Sequence, residues 1–264
     1  MTMKFFANWR MRKPADAADA VHVSEKFGVK SLHIGSDTIQ SSMRIARPCD
    51  LELSYTRSMM GFLLFNERPA RVLMVGLGGG SLAKFIYHRL PWVTTEIVEI
   101  NPRVIAIARQ YFHVPEDDAR FTVIVGNGAE HVARDGRGAD VIAVDGYDGE
   151  SQAAELSNAA FYDACRKRLN AGGILVVNLW GSDRNFDETL LRIETAFPAG
   201  TLCLPAEKPG NVIVLAFRDS PGIPRWDDLA QRAQALERVY SLEFPRFVLS
   251  LRKMNRHDEH HLFV

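Results

Sequence analysis

A strand, a glycine cluster, a helix and a second strand that ends in a carboxylate follow one another between residues 71 and 99. The strand pattern at 71–75 leads into glycines at positions 76, 78, 79 and 80, and a helix-like stretch follows at 81–90. The second strand stops at Glu99, 23 positions after Gly76 and close to the offset of about 20 residues expected for a ribose-binding acid. Because glycines let the backbone approach a ligand at a helix N-terminus, this order predicts an α/β fold with a nucleoside site.

The spacing of the glycines narrows the class of nucleoside. A dinucleotide-binding loop has its third glycine where this chain has Ser81, because the helix must pack closely there. Glycines at 76, 78 and 80 form instead a G-x-G-x-G pattern. This pattern favours an S-adenosyl ligand over NAD.

Two further strands end in polar residues. The strand at 121–125 precedes Asn127-Gly128, where an Asn amide can bind an adenine edge or equally serve an ordinary turn. The apolar run at 140–144, typical of a buried parallel strand, precedes Asp145-Gly146-Tyr147-Asp148. Asp-Gly pairs also form simple turns, but open α/β sheets bind ligands beyond the carboxyl ends of their strands. We therefore expect these carboxylates at the mouth of the nucleoside site.

The N-terminal part of the chain predicts a small separate region. Residues 1–19 are polar and rich in Ala and Asp, which predicts a poorly ordered lead-in. Short strand patterns at 31–34 and 38–43 flank a turn, and a helix pattern follows at 51–64. Residues 20–66 therefore predict a β-hairpin and helix region.

Residues 67–264 predict a Rossmann-like nucleoside-binding domain. Its strands add up to a seven-stranded, mostly parallel sheet with an antiparallel last pair. A helix pattern at 158–169 is separated by Ala171-Gly172-Gly173 from a strand at 174–179. An amphipathic helix pattern at 226–242 predicts packing against the core or a second copy.

Composition limits the class of protein. The 264 residues are 47% hydrophobic and 24% charged, enough for one large core with a small appendage. Equal numbers of basic and acidic residues, 32 each, argue against nucleic acid as a partner. We find no signal-peptide core and no apolar run near the roughly 18 residues of a membrane span, so no membrane partner is expected. Three scattered cysteines predict reduced thiols in the cytoplasm, and no metal site is expected even at the C-terminal histidines 257, 260 and 261.

From about residue 22 to residue 217 the chain resembles the polyamine aminopropyltransferases, the spermidine synthase-like proteins built on the class I methyltransferase fold. Four motifs carry the resemblance: the glycine loop at 76–80, the ribose-binding segment Val98-Glu99-Ile100-Asn101, the pair Asn127-Gly128 and the catalytic loop Asp145-Gly146-Tyr147-Asp148. Gln40 and Tyr55 also match family positions, in the N-terminal hairpin and in the helix that follows it.

The resemblance implies decarboxylated S-adenosylmethionine, or the intact molecule, as a co-substrate, with no permanently bound cofactor. It implies a polyamine acceptor such as putrescine and a homodimer. Asp145 would bind the acceptor's ammonium group and favour its neutral form for attack. The acceptor would be bound by Tyr55, Tyr147, Asp148 and Glu207. The donor would be bound by Gln40, Gly76, Gly78, Gly79, Gly80, Glu99, Asn127 and Gly128.

The chain departs from the family pattern near the substrates. Gly79 stands where the family places an Asp that grips the donor's amine, and Thr56 replaces a Gln. Asn127 replaces an Asp, and Glu207 falls near an expected substrate-binding Tyr. These changes alter the expected contacts of both donor and acceptor.

Two other functions compete with aminopropyl transfer. Methyltransferases of this fold often carry an acidic residue just ahead of the glycine loop, whereas residues 73–75 are uncharged. A nucleoside-binding protein without turnover would not need both Asp145 and Asp148. The pattern therefore favours the aminopropyltransferases.

Overall fold

The structure, a computed structural model, describes residues 21–35, 38–146, 153–207 and 210–264. The predicted lead-in at 1–19 lies outside these residues. The N-terminal region forms an antiparallel sheet of β1 (Val21–Lys26), β2 (Val29–Ile34) and β3 (Ile39–Arg44). The predicted hairpin is therefore present, and β1 adds a third strand to it.

The helix predicted at 51–64 is divided in two. Helix α1 covers Ser54–Met59, and a 3-10 helix, Met60–Leu64, continues it. All five residues of the 3-10 helix are buried, and a side-chain carbon at Gly61 would lie 2.7 Å from the side chain of Leu204. Close packing on all sides, rather than helical periodicity, therefore sets the geometry of this segment.

The larger sheet has the predicted seven strands. They are β4 (Arg71–Val75), β5 (Thr94–Glu99), β6 (Phe121–Val125), β7 (Ala139–Val144), β8 (Leu169–Trp180), β9 (Thr201–Pro205) and β10 (Asn211–Phe217). Their spatial order is β6-β5-β4-β7-β8-β10-β9. Strands β4 to β8 pair in parallel, and β10 runs antiparallel to both β8 and β9. This arrangement confirms the predicted fold class.

Helices connect the strands and cover both faces of the sheet. They are α2 (Ser81–Arg89), α3 (Pro102–Phe112), α4 (Gly128–Ala133), α5 (Ala159–Arg168), α6 (Phe186–Ala196), α7 (Trp226–Tyr240) and α8 (Phe244–Leu251). Residues of β4 alternate between two hydrophobic clusters, one shared with α2, α3, α7 and α8 and the other with α4, α5 and α6. Burial on both faces explains why the central strands are almost continuously apolar.

The boundary between α5 and β8 differs from the prediction. Helix α5 ends at Arg168 and β8 begins at once, so Ala171-Gly172-Gly173 lies inside a 12-residue strand. The pairing of β7 with β8 is irregular here, and Gly172 N donates to Asp219 Oδ2 at 2.8 Å. The glycines therefore mark an irregularity within a strand rather than its start.

The small sheet is attached to the large domain around a buried lysine. Lys84 on α2 has no exposed surface, and its Nζ donates to the carbonyls of Pro48, at 2.8 Å, and Phe112, at 2.5 Å. Met43 Sδ on β3 lies 3.2 Å from the same nitrogen. Burial lowers the pKa of Lys84 to about 8, with Cys49 opposing the shift. A charge that is costly to bury thus lies at the junction of the two sheets.

We predict that Lys84 makes the free energy of unfolding change with pH in the alkaline range. An unfolded lysine titrates near 10.5, so between pH 8 and 10.5 the unfolded chain binds more protons than the folded one. The free energy of unfolding should therefore rise with pH, by up to about 3 kcal/mol from this residue. Urea unfolding of wild type and Lys84→Met at pH 7.5, 9 and 10.5 measures the effect as the difference between the two proteins. A difference that does not change with pH would contradict the prediction.

Candidate active site

A cavity of about 890 Å³ opens at the carboxyl ends of the parallel strands. It is lined by seven of the residues predicted from the sequence, which are Gln40, Gly76, Gly78, Glu99, Asn127, Gly128 and Asp145. They come from the small sheet and from the ends of β4, β5, β6 and β7. The fold therefore brings these dispersed positions together around one space.

The end of β4 lies directly against the end of β7. Asp145 N donates to Val75 O at 2.9 Å, which extends the pairing of the two strands by one residue. At Gly76 the φ angle is +95°, and a side-chain carbon there would lie 2.3 Å from the carbonyl oxygen of Asp145. Only glycine fits this position, because any side chain would push the Asp145 backbone away.

Gly79 faces the small sheet. A side-chain carbon at this position would lie 2.7 Å from Ser41 Oγ and 3.0 Å from a ring carbon of Phe112. Ser41 is buried, and its Oγ lies 3.3 Å from Ser81 Oγ on α2. The space that the family's aspartate would enter is therefore filled by Ser41 and Phe112, which explains the glycine.

Glu99 is held in place by backbone amides. Its Oε2 accepts a hydrogen bond from Leu77 N and its Oε1 accepts one from Asn101 N, both at 2.9 Å. The residue is 8% exposed and lines the cavity. Each carboxylate oxygen keeps a further lone pair, so Glu99 can still accept two hydroxyl groups.

Asn127 has the turn role that was one of the two considered from the sequence, and it also lines the cavity. Its Oδ1 caps α4 by accepting from Ala129 N at 2.9 Å and from Glu130 N at 3.2 Å. Its Nδ2 donates to the carboxylate of Glu155, which also lines the cavity. Glu155 was not predicted from the sequence, because this residue follows no strand and belongs to a short 3-10 helix, Ala154–Leu156.

The carboxylate of Asp145 has two neutral partners among the described residues. Asn178 Nδ2 donates to Oδ1 at 2.8 Å, and Tyr55 Oη donates to Oδ2 at 3.2 Å. The Tyr55 hydroxyl also lies 3.2 Å from the carbonyl oxygen of Gln40. Burial raises the pKa of Asp145, and the hydrogen bonds from Asn178 and Tyr55 oppose that shift. The side chain thus combines a desolvated charge with donors that do not neutralise it.

Asn178 contacts Asp145, and Asn211 contacts Asn178 from behind. Neither residue was predicted from the sequence. Asn178 on β8 is 3% exposed, and its Oδ1 accepts a hydrogen bond from Asn211 Nδ2 at 2.9 Å. This bond fixes which end of the Asn178 amide faces Asp145. A single Asn inside the apolar run of β8 was the signal that could have identified it.

Among the described residues, the predicted acceptor residues Tyr55 and Glu207 do not line this cavity, nor does Thr56, where the chain departs from the family pattern. Glu207 pairs with two arginines, at 2.5 Å from Arg246 Nη1 and 3.6 Å from Arg57 Nη2. Thr56 is buried and donates to Leu53 O within the helix. Tyr147 and Asp148 lie outside the described residues.

Among the residues that the structure describes, no group of three or more His, Cys, Asp or Glu could hold a metal ion. Within the same residues, no helix has both the length and the apolar character needed to cross a membrane. The three cysteines are free, two of them buried.

The cavity lies at the strand ends of a class I methyltransferase-like fold, and the comparisons with known proteins identify the family. The model of the spermine/spermidine synthase domain matches residues 52–190. A polyamine aminopropyltransferase of Chromobacterium violaceum is 41% identical over 255 residues, which cover 97% of this chain and 98% of the relative. The chain belongs to the spermine/spermidine synthase family.

Solved structures agree with this assignment of the fold. A spermidine synthase in complex with the transition-state analogue AdoDATO has a TM-score of 0.63 and 21% identity, and 89% of each chain is covered. Human methyltransferase-like protein 13 in complex with SAH has a TM-score of 0.64 and 25% identity, with 78% of this chain and 96% of that chain covered. The predicted family, its fold and its class as a transferase are confirmed.

We predict that the buried Asn178 stabilises the fold more than its exposed counterpart on the same strand. Asn170 donates to Asp140 Oδ1 at 2.8 Å, so β8 carries an Asn–Asp pair at each of its ends. Asn178→Ala should lower the free energy of unfolding by about 1–3 kcal/mol, because it leaves a buried carboxylate with one donor fewer. Asn170→Ala should change it by less than about 0.5 kcal/mol. Urea unfolding of both variants at pH 7 tests this, and equal losses would contradict it.

Proposed function

We propose that the protein transfers an aminopropyl group from decarboxylated S-adenosylmethionine to a polyamine such as putrescine. The observation that carries the proposal is the Asp145 carboxylate, held by neutral donors beside a cavity suited to a nucleoside. Membership of the spermine/spermidine synthase family supports the same reaction. A homodimer in the cytoplasm is proposed from the family resemblance.

The reaction needs an uncharged amine close to the donor's sulfonium group. Alkyl amines have a pKa near 10 and are mostly cationic at neutral pH. In the proposed step, Asp145 binds the ammonium group and takes its proton. The nitrogen lone pair then attacks the aminopropyl carbon bonded to sulfur. The carbon–sulfur bond breaks with its electron pair on sulfur, which leaves 5′-methylthioadenosine.

The surroundings of Asp145 suit this role. Burial raises its pKa, so the carboxylate is a stronger base than an exposed aspartate. Asn178 and Tyr55 orient both oxygens without contributing a positive charge. The carboxylate therefore keeps its attraction for a cationic acceptor, in a site of reduced dielectric where that attraction is strong.

The nucleoside half of the cavity has a complementary set of groups. In our proposal Glu99 accepts the ribose hydroxyls, Gly76 and Gly78 allow close approach of the backbone, and Asn127 meets the base. Gln40 contributes from the small sheet. We propose Tyr55, Tyr147 and Asp148 as acceptor-binding residues, and Gly79, Gly80 and Gly128 as parts of the donor site.

A methyltransferase is the second candidate, because human methyltransferase-like protein 13 shares the fold. The two reactions differ in the group that leaves the sulfur and in the donor, because only intact S-adenosylmethionine carries a carboxylate. Residues Leu73, Met74 and Val75 ahead of the glycine loop are buried and apolar and provide no charge for the donor's ammonium group. Titration with intact and decarboxylated S-adenosylmethionine distinguishes the two, and tighter binding of the decarboxylated donor is expected.

We predict that Asp145→Asn lowers the rate of aminopropyl transfer by about 10²–10⁴-fold. The amide keeps the size of the side chain but cannot accept the proton. Binding of 5′-methylthioadenosine, measured by calorimetry, should change by less than about threefold, because Glu99 and Asn127 are untouched. Asp163→Asn, an exposed site on α5, serves as the matched control with unchanged rate. Full turnover of Asp145→Asn would refute the assignment of the base.

We also predict the acidic limb of the pH–rate profile. Since burial raises the pKa of Asp145, kcat/KM should fall as the pH drops through a value above the 3.8 of a free aspartate. Asn178→Ala removes a hydrogen bond to the charged form, so the limb should move to higher pH in this variant. A limb that stays in place would show that Asn178 supports only the fold.

A further inference from the structure

We propose that Glu155 and Asn127 together recognise the base of the nucleoside and select a base that carries an exocyclic amino group. The inference rests on the proposed function, because it concerns the adenosyl part of the same donor. Its basis is the orientation of one amide and the position of one carboxylate in the cavity.

The amide of Asn127 is held in one orientation by the helix that it caps. Its oxygen already accepts from Ala129 N and Glu130 N at the start of α4, so it is committed to capping the helix. The amide nitrogen is the end that donates to Glu155 on the cavity wall. It has two hydrogens, and Glu155 takes one. Asn127 therefore offers a ligand a donor and no acceptor.

The carboxylate of Glu155 can accept further hydrogen bonds. It binds Asn127 Nδ2 through Oε2, which leaves Oε1 and the second lone pair of Oε2 for other donors. The residue is exposed, lines the cavity and forms no ion pair with the described part of the chain. Glu155 therefore supplies the acceptor that Asn127 lacks, on the same wall of the cavity.

A donor beside an acceptor is the complement of one base edge. Adenine presents a ring nitrogen that accepts a hydrogen bond next to an amino group that donates one. Asn127 Nδ2 suits the ring nitrogen, and Glu155 suits the amino group. Hypoxanthine has an oxo group in place of the amino group, which would face the Glu155 carboxylate with two acceptors opposed. The pair should therefore reject the deaminated base.

A purely structural role for Glu155 makes a different prediction. If this carboxylate only held Asn127 in place, its replacement would weaken binding of every nucleoside by the same factor. A role in base recognition instead changes the ratio of two affinities. The ratio for 5′-methylthioadenosine and 5′-methylthioinosine therefore separates the two roles.

Calorimetric titration of the 264-residue protein with both nucleosides tests the proposal. Wild type should bind 5′-methylthioadenosine at least about tenfold more tightly than 5′-methylthioinosine. In Glu155→Gln the amide can turn either end to the base, so the ratio should fall to within about threefold. Glu130→Gln, an exposed change on the first turn of α4, should keep the wild-type ratio.

The outcomes distinguish this inference from the proposed function. Equal affinity of wild type for the two nucleosides, or an unchanged ratio in Glu155→Gln, would overturn the role of Glu155 and leave aminopropyl transfer standing. A wild-type protein that binds neither nucleoside would overturn both. Loss of selectivity in Glu155→Gln alone, with unchanged thermal unfolding of both variants, supports the proposal.

Discussion

The site depends on three backbone hydrogen bonds that extend the parallel sheet beyond its last paired residues. They join Gly76 N to Val98 O, Asp145 N to Val75 O and Gly126 N to Glu99 O, at 2.9, 2.9 and 3.0 Å. Because the sheet is packed on both faces, the ends of its strands cannot move independently. The glycine loop, Glu99 and Asp145 therefore have fixed relative positions before any ligand binds, which lowers the cost of organising the site.

The small N-terminal sheet completes the site from the opposite side. Tyr55, after the third strand, reaches Asp145 and the Gln40 carbonyl, so one hydroxyl joins the two parts of the molecule at the cavity. Ser41 fills the space beside Gly79, and Lys84 binds the Pro48 and Phe112 carbonyls. A change of one residue in the register of β3 would remove Ser41 from this contact. Docking of the small sheet therefore contributes to the cavity and to the position of Asp145 as well as to the core.

The sequence predicted those parts of the site that follow from local order along the chain. Glu99 and Asp145 stand at the ends of apolar strands, and parallel strands place their carboxyl ends at one edge of the sheet. That both residues line the same cavity could therefore be expected. Asn178 meets Asp145 across 33 residues, and Glu155 meets Asn127 across 28, through side-chain geometry that no spacing encodes. The role predicted for Gly172 and Gly173 is wrong because a strand irregularity and a helix end favour the same residue type.

The carboxylates of Glu99, Glu207 and Asp145 have different partners, and the difference bears on which of these three can attract a polycation. Glu99 is surrounded by backbone amides, which hold its charge in place for hydroxyl groups. Glu207 lies between Arg57 and Arg246, so its charge is balanced. Asp145 receives only neutral donors from the described residues and is desolvated, which leaves its charge unbalanced and its proton affinity raised. Of these three carboxylates, Asp145 therefore offers an entering cation the largest gain, and it is one of the residues that line the cavity.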